Sequence, residues 1–301
     1  MTVSDPARER APSSLLDRNL ALWPGYQMGK KALAEHVERR DFLGMVARAD
    51  RAPLGETELD VLTWITARWW GAGRDPSGVV SFTRYAARRA LYGEKSANTN
   101  NRRVSEALDN LLAVLITVNG VNVRTGEKAR YSKVHLLESY VVADQISMFG
   151  DAEEYDACAV GGLRGATVEV QLAGWLVNQL LSAGGIGLDW STQRRLSGYG
   201  KRLWIHLASS GVEWHADDAA LHEHCSIALT RDLYEGLGIS CGRPRDDRAA
   251  IVRASKTVLA DDPAYVAAIV EPPAAGCNDW VLHITRSFGA VDDVDPVALA
   301  S

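Results

Sequence analysis

The chain has 301 residues, 47% apolar and 24% charged, with a net charge of −5. That length holds two domains, each with its own core, and the composition is that of a globular protein, excluding a disordered or membrane-bound chain. The longest apolar run, LLAVLITV (111–118), falls far short of the roughly 20 residues that cross a bilayer, so no membrane association is expected. MTVSDPARERAPSS at the start has no apolar signal core. Cys158, Cys225, Cys241 and Cys277 lie far apart, without a CxxC pair. Reduced thiols and a cytoplasmic location are therefore expected.

In chain order, residues 1–14 are polar, carry Pro6 and Pro12, and read as disordered. KKALAEHVERRDFLGMVARA (30–49) reads as a helix, with Leu33, Val37, Phe42 and Val46 as its stripe. TELDVLTWITARWW (57–70) is a second helix, stopped by GAG. VVSFT (79–83) is a short strand whose Thr83 can cap a helix over RYAARRALYG. Asn98 or Thr99 can cap a third helix, in which Val104, Leu108, Leu111, Leu112 and Leu115 share one face. Thr99, Arg102, Glu106 and Asp109 fall opposite, with Arg103 and Asn110 on the flank. LITVNGVNV and YSKVHLLESYVV then alternate as two strands around the basic tip RTGEKAR (124–130). A turn at Asn119–Gly120 is an alternative, and the hairpin register stays open.

Helix, strand, helix, helix and a two-stranded wing is the winged helix-turn-helix order. FGDAEEYDACAVGG (149–162) reads as an acidic connector, followed by a strand TVEVQL, a helix AGWLVNQLLSAG and a strand GIGLDW. The order then repeats. YGKRLWIHLASSG echoes the first helix through Leu203, Trp204 and Ile205 against Leu62, Trp64 and Ile65. SIALTRDLYEGLG echoes SFTRYAARRALYG, RPRDDRAAIVRASKTVLADD is the third helix, and YVAAIVE with WVLHITR is the hairpin. The expected fold class is α+β, two tandem winged helix-turn-helix domains. The expected division is a disordered start and N-terminal helix (1–52), a first winged-helix domain (53–148), a linker (149–166), a second winged-helix domain (167–290) and an acidic tail (291–301).

Charge is unevenly placed. Residues 84–133 hold ten basic side chains and four acidic ones, leaving +6 in a chain of net −5. Fields are screened over about 10 Å at 0.1 M salt, so a local basic face matters more than the total. A charge-rich helix surface taken alone is an ordinary solvated face. Here the helix stands third in a winged order and puts Arg102 and Arg103 near its N-terminus, where cations oppose the helix dipole. Duplex DNA uses such groups: Arg bonds guanine O6/N7, Asn bonds adenine N6/N7, and a carboxylate accepts from cytosine N4. Double-stranded DNA is the expected partner. The expected contacts are Asn98, Thr99, Asn101, Arg102, Arg103 and Glu106, supported by Arg84, Arg88 and Lys95, with Arg124, Lys128 and Arg130 on the wing. In the second copy Arg243, Arg245, Arg253 and Lys256 are the candidates, Arg248 lies nearer the apolar stripe, and the tip PPAAGCND has no base. Unequal contact by the two copies is expected.

Other motifs carry less. HADDAALHEHC (215–225) gathers His215, His222, His224 and Cys225, but structural zinc ordinarily takes two separated pairs, so these read as histidines without a metal. His222 and His224 resemble the metal pair of rolling-circle nickases, with Glu223 where a bulky apolar residue belongs. GYQMGKK (25–31) is one residue short of a phosphate loop, and GGIGLDW lacks the last glycine of a dinucleotide fingerprint. Trp64, Trp69, Trp70 and Trp204 read as core. No enzyme and no cofactor is expected.

With ALYGEKS…NNRRVSEALDNL in the first copy and GYGKRLWIHLAS…LTRDLYEGLG in the second, residues 55–288 resemble the replication initiators of theta-replicating plasmids. That resemblance implies binding to direct repeats (iterons) at an origin, opening of an adjacent AT-rich region, and recruitment of a host initiator and replicative helicase. It also implies dimerisation through the N-terminal winged helix, the C-terminal one making the stronger DNA contact, and no enzymatic activity. Here the first copy is the more basic, which departs from that division. A winged-helix transcriptional repressor and a nicking enzyme built on the His cluster are the rival readings.

Overall fold

Apolar residues at helical spacing alternate with short β-branched runs, and these two periods sort the chain into elements. The computed structural model of the chain describes residues 14–17, 20, 37–40, 46–49, 54–93, 99–121, 128–143, 167–181, 185–209, 212–217, 221–239, 243–274 and 279–287. The expected disorder over 1–13, the linker 149–166 and the tail 291–301 lie outside the described residues. The chain divides into two units, Met1–Trp190 and Ser191–Ser301.

The first unit begins with β1 (Ser14–Asp17), β2 (Val37–Arg40) and β3 (Val46–Ala49). The helix expected over 30–49 is corrected here: β2 and β3 form an antiparallel hairpin, pairing Val37 with Ala49 and Arg40 with Val46. In sequence, Gly44 between these segments is poor in a helix interior, Val37 and Val46 suit strands, and pairing outweighs the helix period. Ser14, expected with the disordered start, opens β1, whose partner is β9 (Gly185–Leu188), with Leu16 opposite Ile186.

α1 (Glu56–Gly71) buries Leu59, Leu62, Ile65 and Trp69. Each such aliphatic side chain contributes about 1.5–3 kcal/mol by leaving water. Thr66 Oγ1 donates to Leu15 O, tying α1 to β1. Trp69 Nε1 donates to Asp75 O at 2.8 Å, so the buried indole leaves no donor open. Trp64 and Trp70, expected in the core, are only half-buried and lie under Arg68 and Arg74. β4 (Val79–Thr83), α2 (Arg84–Tyr92) and α3 (Thr99–Ala113) follow. Thr83 Oγ1 accepts from Ala86 N at 3.1 Å, the cap that its position implies.

The expected wing is redrawn. Its second strand is two elements, β6 (Lys128–Val134) and β7 (Leu137–Ala143). β5 (Ile116–Val121) pairs only with β6, with Val121 opposite Lys128, and β3 packs against β5. β7 instead joins a sheet of order β4-β8-β7 with β8 (Thr167–Leu172). Residue 167 was expected to open the second domain, yet Thr167 pairs with Thr83 and with Ala143. So β7 and β8 close the first unit's sheet, and β5–β6 is a ribbon inserted before them. Gly78, at φ +73°, is the residue before β4; an added Cβ would lie 2.7 Å from Val177 Cγ2, so the site needs glycine twice over. α4 (Gly174–Gln179) and β9 complete this unit.

α5 (Trp190–Arg195) leads into the second unit. α6 (Gly198–Ala208) packs on α8 (Pro244–Asp261), where Gly200 comes so near that a Cβ would lie 2.9 Å from Thr257. Trp204 Nε1 donates to Asp262 Oδ2 at 2.7 Å, and Arg195 Nη2 to Asp261 O at 2.7 Å, a cation at the helix end that favours one. His206 is buried, and burial, with Arg202 second, holds its pKa down to about 4. β10 (His215–Ala216), β11 (His222–Ala228), α7 (Arg231–Gly236), β12 (Tyr265–Glu271) and β13 (Val281–Ser287) complete a sheet of order β10-β11-β13-β12. Thr230 caps α7 as Thr83 caps α2, by accepting from Leu233 N at 3.2 Å. Each unit contains the order helix, strand, helix, helix (α1, β4, α2, α3 and α6, β11, α7, α8), and the last strand of each of these sheets, β8 or β13, lies inside it.

Candidate nucleic-acid interface

α3 buries Val104, Ala107, Leu108 and Leu111 against α1 and α2. Leu112 is half-buried and Leu115 lies beyond the helix end, so the apolar face is narrower than its wheel suggests. Opposite stand Arg102, Arg103, Glu106, Asp109 and Asn110, all exposed. Arg102 Nε donates to Glu106 Oε1 at 2.7 Å. Asp109 accepts from Tyr140 Oη on β7, and that bond, with burial second, pushes the phenol up to about 12. Asn110 Nδ2 donates to Glu58 Oε1 at 2.8 Å, while Glu58 Oε2 accepts from Gly55 N at the start of α1. Asp109 and Asn110 therefore hold α3 to its scaffold, and Arg102 and Arg103 remain as the outward cations. Asn101 is half-buried, and its Oδ1 has no partner among the described residues.

The preceding helix adds charge beside this face. Arg84 is half-buried, Arg88 lies 5.3 Å over the exposed Tyr85 ring, and Arg89 is exposed. Asn98, Lys95 and Arg124 lie outside the described residues; Thr99 begins α3. Lys128 and Arg130 were expected at a wing tip. They stand instead within β6, opposite Val121 and Asn119, on the inserted ribbon.

In the second unit Arg243 is the residue before α8, and it is exposed, as are Arg245, Arg253 and Lys256. Arg248 is drawn aside, 4.4 Å over the Trp280 ring at the start of β13.

Domains 2 and 3 of RctB share this fold. Their crystal structure aligns with a TM-score of 0.54 at 8% identity, over 89% of this chain and 97% of that one. At that identity the likeness shows the fold alone, mixed α+β and winged-helix-like. No family model matches the sequence, and no curated protein does.

The histidine cluster is spread along the sheet of the second unit. His222 Nδ1 faces Asp217 Oδ2 at 3.5 Å, His224 Nδ1 bonds Thr285 Oγ1 at 3.0 Å, and Cys225 points inward and is buried. Among the described residues no three His, Cys, Asp or Glu side chains converge as metal ligands. No helix among them is long and apolar enough to cross a membrane. Sequence reasoning missed the Tyr140–Asp109 and Asn110–Glu58 ties. Nothing local signals them, because each joins residues far apart in sequence.

Proposed function

We propose that the chain is a sequence-specific double-stranded DNA-binding protein of two tandem winged-helix domains that initiates plasmid replication at origin repeats. One observation carries this reading. In a chain of net charge −5, the third helix of a winged-helix order turns Arg102 and Arg103 outward, while Asp109 and Asn110 are engaged with the scaffold. Cations so placed suit base edges and phosphate, and Arg103 is exposed although its charge also acts on Tyr92. The fold shared with domains 2 and 3 of RctB supports the architecture on which the reading rests. Origin opening and recruitment of a host initiator and replicative helicase come with the resemblance to plasmid initiators, as does the lack of an enzymatic activity of its own.

Footprinting on DNA flanking the chain's own gene tests the proposal. Protection of repeated segments is expected, together with maintenance of a plasmid that carries them when the gene is supplied in trans. Protection no different from random DNA overturns the DNA reading, and a bound but unmaintained plasmid overturns the initiator role.

A further inference from the structure

Arg102 is 84% exposed and Glu106 53% exposed, yet Nε and Oε1 meet at 2.7 Å one helical turn apart. So open an ion pair contributes little to folding. A carboxylate on a face turned to DNA also repels phosphate, so Glu106 weakens general polyanion binding. A guanidinium has two usable edges, Nε with one Nη and the pair Nη1 and Nη2. Glu106 takes the first, and the Nη1/Nη2 edge makes no hydrogen bond to any described residue. Two parallel N–H groups on that edge match guanine O6 and N7.

We propose that Glu106 is a positioning residue, holding Arg102 by Nε so that its Nη1 and Nη2 read a guanine in duplex DNA. The inference rests on the DNA-binding reading above. An arginine already held in place loses less rotamer freedom on binding. Glu106 therefore raises discrimination between sequences while lowering affinity for DNA at large, and these opposite signs separate in one experiment. Arg231 and Glu235 repeat the pair at 2.9 Å with the same atoms, but on α7, the helix ahead of α8. They serve as the control.

The full chain is used to select from a randomised duplex library, and the bound fraction is sequenced for wild type, Arg102→Ala, Glu106→Ala, Glu106→Gln, Arg102→Ala with Glu106→Ala, and Glu235→Ala. Glu106→Ala is expected to bind random duplex as tightly as wild type or more so. Its specific-to-random ratio should fall roughly 3- to 10-fold, at the same G·C pair that Arg102→Ala ceases to read. The double variant should lose no more than Arg102→Ala, Glu106→Gln should lose less than the alanine because it keeps an acceptor for Nε, and Glu235→Ala should keep the wild-type ratio. An unchanged or higher ratio in Glu106→Ala, with Arg102→Ala still losing discrimination, overturns the positioning role and leaves DNA reading intact. No enriched sequence for wild type overturns both.

Discussion

The two units share a helix, strand, helix, helix order but treat the last helix of that order differently. α8 has Pro244 at its first position and sets Asp246 and Asp247, which the dipole favours, beside Arg243 and Arg245 at its start. α3 has no acid in its first turn and carries Arg102 and Arg103 as its fourth and fifth residues. The acids at the start of α8 offset its cations, whereas the first turn of α3 has no acid to do so. They also leave their third helices differently. Residues 262–264 suffice to reach β12, whereas residues 114–136, with the β5–β6 ribbon, intervene before β7. Under the DNA-binding reading proposed above, the contrast agrees with unequal contact by the two units.

The strongest test of two separate units is a large defect in one. Trp69→Ala empties a fully buried site and should cost about 3–5 kcal/mol; calorimetry should show one melting transition lowered and the other unmoved. A single shared transition would break the division.

Acid should act on the second unit. His206 has its folded pKa lowered to about 4 from 6.5, so the unfolded chain binds more protons between those values. Stability is then lost as pH falls from 6.5 toward 4, by roughly 3 kcal/mol. Urea titrations at pH 7 and pH 4 should show this loss, and His206→Gln should flatten it.

Next come the third-helix arginines. Arg102→Ala should cost roughly 1–3 kcal/mol on the specific site. Arg253→Ala should weaken all duplexes by a smaller and even amount and reduce the salt dependence. Equal effects of both on specific and random DNA would erase the contrast between the units.

The smallest expected effect is that of Arg248→Ala. It removes the guanidinium over Trp280 and should cost about 0.5–1 kcal/mol of stability. Indole fluorescence would report the change, and DNA binding should hardly alter.

Most helices and strands were legible, though α5 was not, because their apolar periods are local: β4 spans residues 79–83 and α8 residues 244–261, within a residue of where the pattern puts them. Strand partners were not legible. TVEVQL alternates as a strand should, but alternation does not say that its neighbours are β4 and β7, with residues 144–166 between β7 and β8. Residues 30–49 mislead for the opposite reason, since Leu33 and Val37 lie at helical spacing while pairing with residues 46–49 decides the outcome. At the interface the outward arginines could be read from the wheel. The roles of Asp109 and Asn110 could not, because their partners lie 31 and 52 residues away.

The central place of β8 bears on how the first unit can be handled in isolation. A fragment ending at residue 148 would omit the middle strand of its sheet, exposing β4 and β7 along their backbone edges, a template for aggregation. A fragment running to Trp190 keeps that strand and the β1–β9 pair together and should stay dispersed at working concentration.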